Sequence, residues 1–195
     1  MEIILKNIYV SERLSKKTMS FQATLYINGY KVGVVSNEGQ GGAMLYHPLE
    51  DKGNMLIREA EVWCRQLPPM VFEDTIIDGK PMTIPMELEI YLDDMITAWL
   101  EQKDQVKFRR KMEKEMPTAI LFGIPGKTFR VLKYRTPIAC MIRFNKGVER
   151  LRLDIHKLVM PLLQENEKIL NTNIPERIVK KLGVEDGKWV ELVCG

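Results

Sequence analysis

The segment Phe21-Gln22-Ala23-Thr24-Leu25-Tyr26-Ile27 alternates apolar and polar residues, and Asn28-Gly29 follows it directly. A period of two is the mark of a strand with one buried face. Asn-Gly between two such runs is the strongest short signal for a hairpin, because both residues tolerate the positive φ that a two-residue turn needs. Tyr30-Lys31-Val32-Gly33-Val34-Val35 is then the return strand. Residues 2–10 read as a further strand, so the chain is expected to begin with a small antiparallel meander.

The meander runs into Asn37-Glu38-Gly39-Gln40-Gly41-Gly42 and Tyr46-His47-Pro48. A helix is expected over about 49–66, with Met55, Leu56, Ala60, Val62 and Trp63 on its buried face, until Leu67-Pro68-Pro69 stops it. Residues 70–85 hold a short strand and an Asp78-Gly79 turn. Pro85 precedes a long helix over about 86–115. Leu88, Leu92, Met95, Ile96 and Trp99 recur at helical spacing in its first half, whereas the half from Lys103 onward is cationic. Beyond Pro117, strands are expected over 119–123 and 128–134, with a third from Ile138 to Phe144. A helix over 146–164 carries Val148, Leu151, Ile155, Leu158 and Leu162 in register. The chain closes with a strand at Ile169-Leu170, a helix over 176–181 stopped by Gly183, an Asp186-Gly187 turn and a strand from Trp189 to Val193. The expected class is α+β, divided into an N-terminal β-meander plus helix (1–85) and a second α+β part (86–195).

Charge is unevenly spread. Residues 1–102 carry 9 basic and 15 acidic side chains, and residues 103–157 carry 15 and 5, a net of +10. A concentrated positive region attracts polyanions. Lys107, Arg109, Arg110, Lys111, Arg130, Lys133, Arg135 and Arg143 are therefore the candidate contacts to nucleic acid or to an acidic protein. Phe108, Phe122, Phe129, Tyr134 and Phe144 lie among them, and cations beside aromatics suit phosphate contacts with base stacking. The plainer reading is that these cations coat exposed helix and strand faces.

A second candidate is a ligand loop of Asn37, Gly39, Gly41 and Gly42 with His47. Clustered backbone N–H groups before a helix can hold an anion, and His47 could serve as a base. Neither a Gly-x-Gly-x-x-Gly nor a P-loop spacing is present, and a tight turn explains the glycines equally well. Asp93-Asp94 are adjacent and point apart. Cys64, Cys140 and Cys194 are widely separated, with Cys64 and Cys140 expected in the core. No catalytic group, metal site or cofactor is expected. The start of the chain lacks signal-peptide character and no apolar run reaches the ~18 residues that span a bilayer, so a cytoplasmic protein, possible as a homodimer, is expected.

Two resemblances add to this. Ile174-Pro175-Glu176 through Leu182-Gly183 to Asp186-Gly187 and Trp189-Val190-Glu191-Leu192 resembles one stretch of the AbrB-type swapped-hairpin DNA-binding proteins, which implies DNA contact. In this chain Asn171-Thr172-Asn173 stands where that family has a strand and a Gly-Arg pair. The whole chain is similar to a loosely defined group of uncharacterised bacteriophage and mobile-element proteins, through Phe21 to Gly42, Tyr46 and Ile169 to Pro175. That resemblance implies a phage setting and a protein that works by binding. The expected function is thus non-enzymatic binding of nucleic acid or an acidic host protein, the alternative being a small-ligand or nucleotide binder, or enzyme, at the glycine loop.

Overall fold

Asn28 and Gly29 take positive φ, 49° and 76°, and close the turn between β2 (Ser20–Ile27) and β3 (Tyr30–Glu38), which pair antiparallel from Ile27↔Tyr30 onward. β1 (Ile3–Val10) and β4 (Leu45–Pro48) complete a four-stranded antiparallel sheet in the order β1-β2-β3-β4. One face of the sheet carries Leu5, Ala23, Leu25, Ile27, Val32 and Val35. It packs against α1 (Asp51–Cys64) and the first half of α2 (Leu88–Glu115), which inserts Leu88, Leu92 and Ile96. These details come from a computed structural model that describes residues 1–185 and 187–190.

α1 is shorter than the sequence suggests, and its buried side is Gly53, Ile57, Ala60 and Cys64. Met55 and Val62, expected on that side, are exposed. The reason is steric. α1 lies so close to β3 that a Cβ on Gly53 would stand 2.9 Å from the Val32 carbonyl oxygen. The glycine therefore sets which face turns inward. Residues 70–84 form two strands rather than one, β5 (Met70–Ile77) and β6 (Lys80–Ile84), joined through Asp78 and Gly79 at φ 50° and 75° and paired only with each other among the described residues.

The C-terminal part has its own sheet, in which β7 (Ala119–Ile124) lies between β8 (Thr128–Lys133) and β9 (Lys168–Ile169), antiparallel to both. On one face Ile120 and Phe122 pack with α4 (Asn145–Asp154), α5 (Glu176–Leu182) and Trp189. On the other, Ala119 and Leu121 meet Phe108 and Met112 from the end of α2. Ile138 to Phe144, expected as a strand, instead holds the short helix α3 (Ile138–Met141), with Ile138 buried. A five-residue apolar run, Ile138 to Ile142, does not distinguish strand from helix by periodicity; here the chain leaves Pro137 into a helical turn.

After α4 the backbone widens into a π-helical turn, Ile155–Val159, and then narrows to a 3-10 turn, Met160–Leu162. The widening rotates the following side chains. Val159 is buried, while Leu158 and Leu162, expected in register, are about half exposed. In the stretch from Ile174 onward, Pro175 stands at the start of α5 and Gly183, at φ 65°, at its end. Ile174, Ile178 and Leu182 are in the core, and Trp189 bridges to Ile169. Cys64 is buried but Cys140 is exposed, because it sits on α3 rather than on a buried strand. Cys194, Asp186 and the end of the expected last strand lie outside the described residues.

The compact units are Met1–Leu100 and Glu101–Gly195, so the division falls inside α2 rather than at 85/86. It coincides with the change in charge: residues 1–100 hold 9 basic and 14 acidic side chains, residues 101–195 hold 20 and 12.

One tyrosine in each unit is half-buried. Burial, and then Glu89 and Glu61, hold the Tyr46 phenol above its ordinary range; burial and then Asp154 do the same for Tyr134. The unfolded chain loses these protons near pH ~10, before the folded chain does. The folded state then holds more protons, so stability falls as pH rises past about 10. The expected outcome is a urea midpoint that declines above this pH, with a shallower decline in Tyr46→Phe and Tyr134→Phe. Unchanged slopes in both variants would count against it.

Candidate nucleic-acid interface

The second half of α2 is built on a helical repeat of two kinds. Phe108 and Met112, four residues apart, turn down onto β7 and β8. Lys107 and Lys111, also four apart, border the same stripe and remain exposed. The turn after β7 supplies the opposite wall. Gly126, at φ 74°, lets the chain reverse, the Lys127 N–H donates to the Ile124 carbonyl at 3.1 Å, and β8 begins with Thr128 and Phe129. The Gln105 side chain donates to the Gly126 carbonyl at 3.4 Å and ties the turn to the helix.

Between them lies a cleft of about 500 Å³ lined by Lys107, Lys111, Lys127 and Thr128 over Phe108 and Phe129. The two rings meet edge to face, 5.4 Å apart at 81°, and give the floor a rigid aromatic surface. Lys107 pairs with Asp104 at 3.0 Å, both side chains being well exposed. An exposed pair of this kind is worth about 0–1 kcal/mol, so a phosphate can displace the carboxylate. Arg109 lines a separate, smaller cleft of about 320 Å³ with Phe108, Met112 and Thr172. Arg110 is exposed on the helix.

The other expected cations are not gathered here. Arg130 and Lys133 are three residues apart on β8, so their side chains leave opposite faces of the sheet. Arg130 donates to the buried Glu167 carboxylate and, at 3.0 Å, to the Leu162 carbonyl. Its guanidinium stacks 4.7 Å from the centre of the Phe122 ring. This arginine fastens the 162–167 segment to the sheet. Lys133 pairs with Glu115 at 2.7 Å. Arg135 is exposed beyond the end of β8. Arg143 lines a separate cleft at the α3–α4 junction, with Lys146 and Phe144. Lys127 was not among the residues expected from the sequence. Its signal there is the Pro125-Gly126 turn, but nothing local places that turn against a helix 20 residues upstream.

The glycine loop has a different construction from the one its sequence suggests. Asn37 and Glu38 still belong to β3, and the loop leads into β4, not into a helix. The buried Asn37 side chain accepts from the Gly39 N–H at 2.8 Å and from the Thr18 hydroxyl at 3.0 Å, and donates to the Gly42 carbonyl at 3.4 Å. Thr18 in turn accepts from the Gly41 N–H at 3.2 Å. The Gly39 and Gly41 N–H groups, two of the donors that would cradle an anion, are thus spent on Asn37 and Thr18. His47 stands on the edge strand β4 opposite Val34, exposed, and so does not converge with the loop donors.

Among the described residues no group of three or more His, Cys, Asp or Glu side chains is placed to hold a metal ion, and no helix is long and apolar enough to cross a membrane. The chain matches no family model, no curated protein and no solved structure.

Proposed function

We propose that the chain is a non-enzymatic binding protein, of the phage or mobile-element kind its sequence resembles, and that it holds nucleic acid in the cleft between α2 and the β7–β8 turn. The observation that carries this reading is the set of three lysines, Lys107, Lys111 and Lys127, around the Phe108–Phe129 floor. Lysines at the rim fit phosphates, each contact releasing a counterion. The aromatic floor suits an unpaired base better than a stacked pair. Arg130, held by the buried Glu167 carboxylate, the Leu162 carbonyl and the Phe122 ring, has a structural role instead.

The test is a salt titration of binding to labelled single-stranded and duplex oligonucleotides and to RNA. Affinity should fall linearly with salt on a logarithmic scale. The triple variant Lys107→Glu, Lys111→Glu, Lys127→Glu should lower affinity about 100-fold at low salt and flatten the slope by roughly 0.7 per lost contact on a single strand. Lys31→Glu, on β3, serves as the control and should leave both unchanged. Absence of binding at low salt overturns the nucleic-acid reading and leaves an acidic protein as the partner class for the same cations.

A further inference from the structure

β1 carries one residue more than the strand beside it. Lys6 stands opposite Thr24, and the next pair is Tyr9 with Gln22, so three steps on β1 answer two on β2. Asn7 takes a φ of 52° within this bulge, in the left-handed region that residues other than glycine seldom adopt. A bulge re-aims the side chains that follow it. In plain register Ile8 would face Gln22; with the extra residue Tyr9 does. Gln22 pairs in turn with Ser36 on β3. Their neighbours Ala23 and Val35 are in the core, and successive side chains of a strand leave opposite faces. Tyr9, Gln22 and Ser36 therefore form a row across the outer face of the sheet. Ile8 and Val10 pack against the core, whereas Tyr9 is 68% exposed and belongs to none of the three cores.

The connection between β1 and β2 closes one end of this row. The Lys16, Lys17 and Thr18 N–H groups all donate to the Gly39 carbonyl, at 3.0, 2.9 and 3.4 Å, and the Ser20 N–H donates to the Ser15 hydroxyl at 2.8 Å. The packing is tight, since a Cβ on Gly39 would stand 2.6 Å from the Leu14 carbonyl oxygen. The wall is thus fixed before any ligand arrives. It leaves a cleft of about 450 Å³ whose walls include Tyr9, Leu14, Ser20, Gln22, Ser36 and Gln40, within the size range of small-molecule sites. The side-chain hydroxyls and amides of Tyr9, Gln22, Ser36 and Gln40 form no hydrogen bond among the described residues. Nor does the Ser20 hydroxyl, although Ser20 is only 6% exposed. A buried polar group in this state calls for a partner. Among the described residues the one charged side chain in the walls is Glu38.

We infer that this cleft binds a neutral hexose ring. Each hydroxyl of such a ring both donates and accepts, and so do the hydroxyls of Tyr9, Ser20 and Ser36 and the amides of Gln22 and Gln40. The Tyr9 ring offers a flat apolar surface for the C–H face of the sugar, with a polar tip at its edge. Glu38 adds an acceptor for the sugar hydroxyls. A phosphate or carboxylate finds no counter-charge in these walls, which sets the cleft apart from the Lys107–Lys111–Lys127 groove. The two sites share no residue, so the sugar reading and the nucleic-acid reading can each fail alone.

Saturation-transfer NMR on the full chain reads the result, with the methyl glycosides of glucose, galactose, mannose and N-acetylglucosamine as probes. At least one should bind, with a Kd on the order of 1 mM for a ligand this small. It should shift the backbone amides of Tyr9, Gln22 and Ser36 and leave those of residues 101–195 in place. Tyr9→Ala and Gln22→Ala, both at exposed positions, should each weaken binding about 10-fold with unchanged circular dichroism. Tyr9→Phe keeps the ring and should retain most of the affinity. Tyr26→Ala, which removes another aromatic ring from β2, should change nothing. Binding should also persist at about 1 M salt, where charge-driven association is screened. Silence from all four glycosides at about 10 mM overturns the inference. So does binding that Tyr9→Ala leaves intact, or a preference for glucose 6-phosphate or adenosine over the neutral glycosides.

Discussion

Asn171→Ala is expected to destabilise the C-terminal unit by roughly 3 kcal/mol or more, the largest effect of any truncation outside the apolar core. The reason lies in how short β9 is. Its two residues pair with Phe122 and Gly123, and the Leu170 N–H adds a bond to the Leu121 carbonyl at 2.8 Å. There the backbone ladder along β7 ends, with buried groups still to be met. The Asn171 side chain, fully buried, takes over. Its carbonyl accepts from the Leu121 N–H at 2.7 Å and its amide donates to the Ala119 carbonyl at 2.9 Å. The amide thus acts as two further rungs of a strand that the backbone does not supply.

Alanine leaves both β7 groups buried and unpaired, at about 1–3 kcal/mol each. Asn171→Asp separates the two contributions. It keeps an acceptor for Leu121 but loses the donor to Ala119 and sets a carboxylate against a carbonyl. Burial of that charge favours the protonated form, so the penalty should shrink as pH falls and reappear as pH rises. Hydrogen exchange is the suitable readout. Protection of the Leu121 amide should collapse in Asn171→Ala, while the amides of residues 1–100 keep theirs. Retained protection at Leu121 would refute this account of β7.

The role of Asn171 also bears on why Ile169 to Pro175 stands out in the sequence. Asn173 donates to the Met116 carbonyl at 3.0 Å and Thr172 approaches the Met116 sulfur at 3.5 Å. Trp189 donates its indole N–H to the Asn171 backbone carbonyl at 2.9 Å. The segment clamps the turn before β7 and the Trp189 bridge to one another. Polar residues in such a run read as a loop when only their neighbours in sequence are considered. Their partners are about 50 residues away.

The same distinction separates what was legible from what was not. Both hairpins were readable, or partly so, because Asn28-Gly29 and Asp78-Gly79 specify their turns within two residues. The first half of α2 was readable because Leu88, Leu92 and Ile96 repeat at one helical spacing. The π-helical turn at Ile155–Val159 follows from packing and leaves no mark in the apolar pattern, so Val159 and Leu158 exchanged places. The glycine loop misled because the use of its N–H groups depends on Asn37 and on Thr18, 19 residues away. The cationic segment was visible as composition, but alternation along β8 divides Arg130 from Lys133. The groove exists only where Lys127 meets Lys107 and Lys111.

Gly33→Ala is expected to detach β4 from the N-terminal sheet, at a cost of about 2–4 kcal/mol. Glycine inside a strand marks a close approach of another backbone, and here the approach is severe. A Cβ at Gly33 would lie 2.1 Å from the His47 carbonyl oxygen and 2.8 Å from the Pro48 Cα. Neither atom belongs to a flexible side chain. Gly33 pairs with Pro48 at the end of the β3–β4 ladder, and the Leu49 N–H donates to the Val32 carbonyl at 2.9 Å just beyond it. Relief of the overlap must therefore move the strand end from which α1 departs. Tyr46, half-buried against the core through its place on β4, reports the change. Its phenol should return toward its ordinary pKa as burial is lost, which the difference in absorbance near 295 nm between Gly33→Ala chains with and without Tyr46→Phe isolates from the other five tyrosines. The control is Val34→Ala on the neighbouring position, which removes volume without overlap and should leave the Tyr46 titration in place. A Gly33→Ala chain with the wild-type Tyr46 titration and urea midpoint would show that β3 and β4 can separate there at no cost.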